Sequence, residues 1–132
     1  MHEDFWKIYC ETQYKDVSKA ILVEEFLADE IQTYKFYCFN GEPKIAYVSS
    51  NGENGEKDLY LDYFDENWNW LDITLTTHLH SKKPIPKPQN YDAMKNIARE
   101  LSKGFPFVRV DLYNIDGVIK FSELTFVPTG GV

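Results

Sequence analysis

The segment between residues 109 and 125 most constrains the fold, because it places charged side chains at alternate positions of two short, otherwise apolar stretches. Residues 114–117 separate the two stretches and are typical of a tight turn between antiparallel strands. Successive residues of a strand point to opposite faces of a sheet. Arg109, Asp111 and Tyr113 therefore share one face, and the apolar residues between them share the other. The sequence predicts a hairpin with one charged and one apolar face.

The face on which Glu123 lies depends on the length of the turn. We expect a three-residue loop over residues 115–117, with Gly117 in the left-handed conformation and Asn114 paired with Val118. A two-residue Asp-Gly turn is the alternative. It would shift the second strand by one residue and turn Glu123 away from the charged face.

The three-residue loop would gather polar side chains on one sheet surface. It sets Arg109 opposite Glu123 and Asp111 opposite Phe121, with Thr125 on the same face as Glu123. Two converging carboxylates offer the oxygen ligands that magnesium prefers. A cross-strand ion pair on a solvated face is the alternative interpretation of the same residues.

The composition of the chain predicts a single folded domain. Its 132 residues are 43% hydrophobic and 16% aromatic, which is enough to bury a substantial core. No apolar run approaches the roughly 18 residues that a membrane span needs, and the first residues lack the basic and apolar regions of a signal peptide. We therefore expect a cytoplasmic protein without a membrane span. The formal net charge of -7 argues against binding to nucleic acid, which rewards clustered Lys and Arg.

Short alternating segments predict a sheet, and one amphipathic segment predicts a helix. The helix would follow Asn90, a good N-cap, and end before Gly104. Its apolar stripe would consist of Tyr91, Met94, Ile97, Ala98 and Leu101. Strands are expected over residues 19–27, 33–39, 44–49, 59–64 and 70–75. This pattern predicts an α+β fold, mainly an antiparallel sheet with a helix packed on one face.

The cysteines and histidines give little evidence of chemistry. Cys10 and Cys38 do not have the spacing of a redox or zinc motif, so we expect two free thiols that are at least partly buried. His78 and His80 lie two residues apart, but two histidines without a third ligand are weak evidence for zinc. We expect them to be solvated loop residues.

Several other charged and aromatic residues each have two interpretations. Lys35 lies in an aromatic strand, where it either reaches a site or extends to water. Glu24 and Glu25 are adjacent, so only one of them could point into a site from a strand. Trp68 and Trp70 could stack on a saccharide, although large aromatic residues are more often part of a core.

The sequence resembles the TupA-like ATP-grasp family from about Asp4 to its end. The motifs that carry the resemblance are ILVEEFL, TYKFYCFNGEPK, PIPKP before the helix, LSKGFPFVRVDLYNIDG and FSELTFVPTGG. The block from Gly104 to Gly131 is the most specific. Members of this family are associated with the biosynthesis of teichuronopeptide and other cell-surface polysaccharides of the cell envelope.

The resemblance implies an ATP-dependent ligase that joins a carboxylate to an amine through an acyl-phosphate, with ATP and Mg2+ as cofactors. It implies that Lys35 and Arg109 act on the phosphates as catalytic residues. Asp111 and Glu123 would hold magnesium, and Thr125 stands where other ATP-grasp proteins commonly have Asn. The segment that would bind adenine and ribose is Glu24, Glu25, Phe26 and Leu27.

The resemblance covers only one of the two subdomains between which ATP-grasp enzymes hold ATP. No Gly-rich phosphate loop occurs in residues 1–132, so the chain corresponds to the C-terminal subdomain and the Gly-rich-loop subdomain is absent. We expect weak nucleotide binding and no ligase turnover from this chain alone, and either self-association or a partner that supplies the missing subdomain. The alternative is a non-catalytic module derived from this fold, which binds a partner subunit or a saccharide.

Overall fold

A computed structural model of the chain describes residue 7 and residues 11–27, 31–51, 59–75, 78–81 and 83–128. A single turn of 3-10 helix, Thr12–Tyr14, precedes the sheet. The strands are β1 Thr33–Phe39, β2 Glu42–Asn51, β3 Leu59–Asp65, β4 Trp70–Leu71, β5 Phe107–Ile115 and β6 Val118–Thr125, and the helix is α1 Tyr91–Ser102. All strand pairs are antiparallel, in the order β4-β3-β2-β1-β5-β6. The predicted α+β fold is confirmed.

The hairpin between β1 and β2 forms at the dipeptide Asn40-Gly41. Both residues have positive φ, 50° and 81°, which is the conformation that favours Asn and Gly in a two-residue turn. Phe39 pairs with Glu42 directly beside this turn. Because β1 alternates between buried and partly exposed residues along its length, one of its faces is apolar and the other is open to polar chemistry.

The core lies between α1 and one face of the sheet. Tyr91, Met94 and Ala98 of the helix are buried, and they join buried residues of four strands, β1, β2, β3 and β5, in one cluster. Phe36 of β1 stacks on Tyr91 with ring centroids 6.0 Å apart. Trp68 stacks on Phe64 at 4.1 Å, so Trp68 belongs to the core rather than to a saccharide surface.

The apolar stripe of the helix is narrower than the sequence predicts. Ile97 and Leu101 are each 36% exposed, because the sheet covers only the line through Tyr91, Met94 and Ala98. Asn90 precedes the helix as predicted, but it makes no capping hydrogen bond. Its side-chain amide instead donates to Asn114 Oδ1 and to the carbonyl oxygen of Gly117, which ties the start of the helix to the β5–β6 hairpin.

Two strand predictions were wrong. Residues 19–27 form no strand, and Ile21 and Val23 are 94% and 87% exposed. β-branched residues favour a strand only where a neighbouring strand completes the hydrogen bonds, and none pairs with this segment in the described part of the chain. The strand expected over 70–75 is only Trp70–Leu71. Among the described residues, no helix has both the length and the hydropathy needed to cross a membrane.

Cys38 is a free, fully buried thiol on the core face of β1, as the sequence predicts; Cys10 lies outside the described residues. Burial raises the pKa of the Cys38 thiol to about 11.

Cys38 should react slowly with alkylating reagents, because the thiolate is the nucleophile and reaction requires the core to open. We expect iodoacetamide to modify Cys38 at least about a hundredfold more slowly in the native protein than in guanidinium chloride. The rate is measured by mass spectrometry on a Cys10→Ser variant, and rapid native labelling would contradict the buried position.

His80 is not the solvated loop residue that the sequence predicts. Its side chain is 15% exposed, and its ring packs edge-on against Trp70 with centroids 4.9 Å apart. Its Nδ1 lies 3.7 Å from Oδ1 of the buried Asp62, and its Nε2 lies 3.5 Å from Oδ1 of the exposed Asp72. Within the described residues, no three His, Cys, Asp or Glu side chains form a group that could hold a metal ion.

Candidate functional site

Five polar side chains form a cluster on the sheet face opposite α1. We call Lys35, Arg109, Asp111, Glu123 and Thr125 the ionic cluster. Strand pairing brings them together: Lys35 of β1 lies opposite Asp111 of β5, and Asp111 lies opposite Glu123 of β6. Arg109 lies opposite Thr125 one step along the same two strands. The predicted grouping on one face is therefore present.

The turn that closes the β5–β6 hairpin differs from the predicted one. Ile115 pairs with Val118, so the loop has two residues, Asp116 and Gly117, with φ angles of 50° and 83°. The expected pairing of Asn114 with Val118 was therefore wrong. Asp and Gly both tolerate positive φ, which makes the shorter turn available to this sequence.

A β-bulge restores the face that the shorter turn would have lost. Leu112 pairs with Phe121 while the next residue, Asp111, pairs with Glu123. Ser122 is thus the extra residue of the bulge. The predicted partners, Arg109 for Glu123 and Phe121 for Asp111, were wrong. The predicted face of Glu123 was right, because the shorter turn and the inserted residue each shift the register by one, and a total shift of two returns Glu123 to the face of Asp111.

Asp111 is the centre of the ionic cluster and is fully buried. Arg109 donates to both of its oxygens, from Nε to Oδ1 at 2.7 Å and from Nη2 to Oδ2 at 2.8 Å. Lys35 Nζ donates to Oδ2 at 2.5 Å. Such a bidentate arginine–carboxylate pair fixes the plane of both groups, so Asp111 is held rigidly between two cations.

Glu123 and Thr125 complete the cluster on its open side. Arg109 Nη2 also donates to Glu123 Oε1 at 2.8 Å and to Thr125 Oγ1 at 2.9 Å. The Thr125 hydroxyl donates in turn to Glu123 Oε1 at 3.0 Å. The side chain of Glu123 is 55% exposed. One arginine nitrogen therefore marks the point at which two carboxylates and a hydroxyl converge.

The cluster is balanced in formal charge, and its surroundings favour the charged form of Arg109. Burial opposes the charge on Arg109, but the hydrogen bonds and the negative charge of Asp111, followed by Tyr47 and Glu123, raise its pKa. Arg109 is therefore cationic at every physiological pH. The two cations and the two acids have no net formal charge, so the buried charges of the cluster compensate one another.

A comparison with protein families identifies the group to which this sequence belongs. A family model described as TupA-like ATPgrasp matches residues 1–132, the whole chain. The chain belongs to the TupA-like ATP-grasp family. No curated protein and no solved structure is similar enough to match.

The oxygen atoms of the ionic cluster are of the type that suits magnesium, an ion that ATP-grasp proteins generally bind together with ATP. Asp111, Glu123 and Thr125 supply two carboxylates and a hydroxyl, all reached by the same nitrogen of Arg109. Magnesium is commonly held by one or two carboxylates, with nucleotide phosphates and water completing its shell. The donor set is too small for a closed protein cage and suits a metal that arrives with a nucleotide.

The predicted adenine segment of this ATP-grasp protein is not part of the cluster. Glu24, Glu25 and Phe26 are exposed and Leu27 is half-buried, in a stretch without regular structure. In the described part of the chain, no hydrogen bond of the ionic cluster reaches these residues. The structure therefore brings together five of the predicted site residues and leaves four apart.

Three tyrosines beside the cluster were missed by the sequence analysis. Tyr47 lies opposite Lys35 and Tyr63 lies opposite Tyr47, while Tyr37 lies opposite Arg109. Tyr37 and Tyr47 have ring centroids 5.7 Å apart, and Tyr47 and Tyr63 are 5.2 Å apart. The signal in the sequence was Tyr37, which lies two residues from Lys35 in the same strand and therefore shares its face.

The tyrosine row, Tyr37, Tyr47 and Tyr63, adds neutral hydroxyls to the charged surface. Burial raises the pKa of all three side chains, so they remain protonated at physiological pH. Lys35 Nζ lies 6.0 Å from the centre of the Tyr47 ring, at the boundary between the two surfaces. The face opposite α1 is therefore ionic across β1, β5 and β6 and phenolic across β1, β2 and β3.

Proposed function

We propose that this chain forms the magnesium- and phosphate-binding wall of an ATP-dependent carboxylate–amine ligase in cell-surface polysaccharide biosynthesis of the teichuronopeptide type. Membership of the TupA-like ATP-grasp family supports the class of enzyme. The observation that carries the proposal is the ionic cluster, in which two acids and two cations converge on one sheet face. ATP-dependent chemistry favours the cytoplasmic side of the membrane.

The residue types of the cluster suit phosphoryl transfer. This reaction depends mostly on positioning and on neutralising charge that develops on phosphate oxygens. In our proposal Arg109 and Lys35 neutralise the phosphates and the acyl-phosphate, and Asp111, Glu123 and Thr125 hold magnesium. The metal, when bound, draws negative charge from the phosphate oxygens. The protein contributes groups whose positions are fixed before the nucleotide arrives.

Asp111 orients Arg109 for this role. Its two oxygens hold Nε and Nη2 in one plane, so the guanidinium cannot rotate away from the open side of the sheet. The side chain of Arg109 is only 10% exposed. This burial lowers the local dielectric constant and strengthens the attraction of Arg109 for a phosphate anion. A positioned cation of this kind stabilises transferring phosphate better than a mobile one.

The acceptor and the rest of the nucleotide would bind around this wall. By analogy with the family, the segment that contacts adenine and ribose is Glu24, Glu25, Phe26 and Leu27. Residues 1–132 contain no Gly-rich loop to cover the triphosphate. We therefore propose that this chain alone binds nucleotide weakly, without ligase turnover, and needs a second subdomain or a partner for activity.

Replacing Asp111 with asparagine tests the proposal, because it keeps the shape of the side chain and removes its charge. We expect Mg-ATP binding, measured by isothermal titration calorimetry, to weaken at least about tenfold, the effect of losing one charge within a few ångström. The matched control is Glu66→Gln, which removes an exposed acid paired with Lys44 and should leave binding unchanged. Circular dichroism confirms that each variant is folded.

The results separate the ligase from the non-catalytic alternative. Unchanged Mg-ATP binding in the Asp111→Asn variant, or no binding by the wild type, would contradict a nucleotide site at the cluster and favour an interaction module. Micromolar or tighter binding by the wild type would instead contradict the need for a second subdomain.

A further inference from the structure

Lys35 and Arg109 hold Asp111 in different ways. Arg109 makes two hydrogen bonds to Asp111 and continues to Glu123 and Thr125, and its side chain is 10% exposed. Lys35 makes a single hydrogen bond to Asp111 Oδ2, and its side chain is 22% exposed. Arg109 is thus fixed by four hydrogen bonds within the cluster, whereas the more exposed Lys35 is attached to it by one.

The position of Lys35 is also the position from which a metal ion would reach Asp111. Asp111 is fully buried, and its two oxygens already accept three donors. A carboxylate has about four lone-pair sites, so little capacity remains while Lys35 is in place. Because lysine carries a point charge on a flexible stem, it can leave with less loss of geometry than the bidentate arginine.

We propose that Lys35 is a displaceable internal counter-ion, which neutralises Asp111 when no metal is bound and competes with magnesium for Asp111 Oδ2. The inference rests on the proposed function of the ionic cluster. Without Lys35 the cluster changes from no net formal charge to a charge of about -1, since Arg109 then faces both Asp111 and Glu123. Lys35 therefore makes metal binding weak in the absence of nucleotide and becomes free to bind phosphate when Mg-ATP arrives.

The counter-ion role predicts that one substitution of Lys35 changes the affinities for free metal and for Mg-ATP in opposite directions. In the Lys35→Met variant, Mn2+ without nucleotide should bind about tenfold more tightly, the size of effect that one nearby unit charge has on the ionisation of a carboxylate. Mg-ATP should bind more weakly, because one phosphate contact is lost. If Lys35 were only structural, the substitution would weaken the binding of Mn2+ and the binding of Mg-ATP. Mn2+ binding is followed by electron paramagnetic resonance on the folded chain.

Three further variants keep the test decisive. Lys44→Met removes an exposed lysine that is paired with Glu66 and should change neither affinity. Lys35→Arg retains the cation and should bind Mn2+ as weakly as the wild type. Lys35→Gln removes the charge but can still donate to Asp111, so it should bind Mn2+ more tightly even if the methionine variant folds poorly.

The outcomes distinguish the inference from the function on which it depends. If the wild type binds Mn-ATP and Asp111→Asn does not, but both neutral Lys35 variants bind Mn2+ alone no more tightly than the wild type, the counter-ion role is overturned and the site stands. If Mn2+ binds to no variant, with or without ATP, the site itself is overturned.

Discussion

Replacing Asp111 with alanine is expected to lower the free energy of unfolding by about 3–5 kcal/mol, the usual cost of removing one partner of a buried ion pair. The cause is the guanidinium that remains. Arg109 is 10% exposed and cannot lose its proton, so it would keep a buried charge whose main acceptor is gone. Chemical denaturation measured by circular dichroism gives the change directly.

Two comparisons separate this electrostatic effect from ordinary packing. Glu66→Ala removes the acid of an exposed pair, and its unfolding free energy should stay close to the wild-type value because water replaces the lost partner. The double variant Arg109→Met/Asp111→Leu replaces both charges by apolar groups and should recover most of the stability. A double variant no more stable than Asp111→Ala would contradict the unpaired charge of Arg109 as the cause of the loss.

The expected loss of stability has a functional meaning. A ligase site needs cations that are in place before phosphate binds. Such cations repel one another and lose part of their hydration on burial, and an acid between them compensates both costs. Asp111 fills that place for Arg109 and Lys35. The same acid that stabilises the empty domain is therefore the one we propose as a magnesium ligand, which couples the stability of this face to its ligand.

The alternation of residues predicted the face of each site residue but not the partner of each. Arg109 and Asp111 share a face for any straight strand, and this part of the prediction required nothing beyond the spacing. The partner of Asp111 depends on the turn, for which the sequence allows two lengths, and on the bulge at Ser122, which the sequence does not show. The shorter turn and the bulge together shift the register by two residues, which changes every partner but keeps the face, and counting alternate positions cannot detect such a shift.

The segment at residues 19–27 shows that strand propensity alone does not predict a strand. Its run of Ile21, Leu22 and Val23 has a high propensity for strands, yet these residues are largely exposed and unpaired. A strand is defined by its neighbours, so propensity alone could not place it.

The tyrosine row was missed for a related reason. The sequence shows the tyrosines of each strand, and only the order of the strands puts them in one row beside Lys35.

Phe36→Ala is expected to lower the free energy of unfolding by about 3–5 kcal/mol, as for other buried phenylalanines replaced by alanine. Phe36 is 1% exposed and stacks on Tyr91 of the helix. Its loss would leave a cavity between β1 and α1, where close-packed neighbours cannot collapse fully. The measurement is again the free energy of unfolding from chemical denaturation.

Phe39, three residues further along β1, is the matched control. It is 43% exposed and contacts Phe107 with ring centroids 5.2 Å apart, so Phe39→Ala should cost only about 1 kcal/mol, the scale of a single aromatic pair. The comparison tests the face assignment of the strand that carries Lys35, because Phe36 and Lys35 must point to opposite sides. Equal losses at Phe36 and Phe39 would mean that the core does not lie where the register of β1 puts it, and the ionic cluster would lose the strand that brings Lys35 to Asp111.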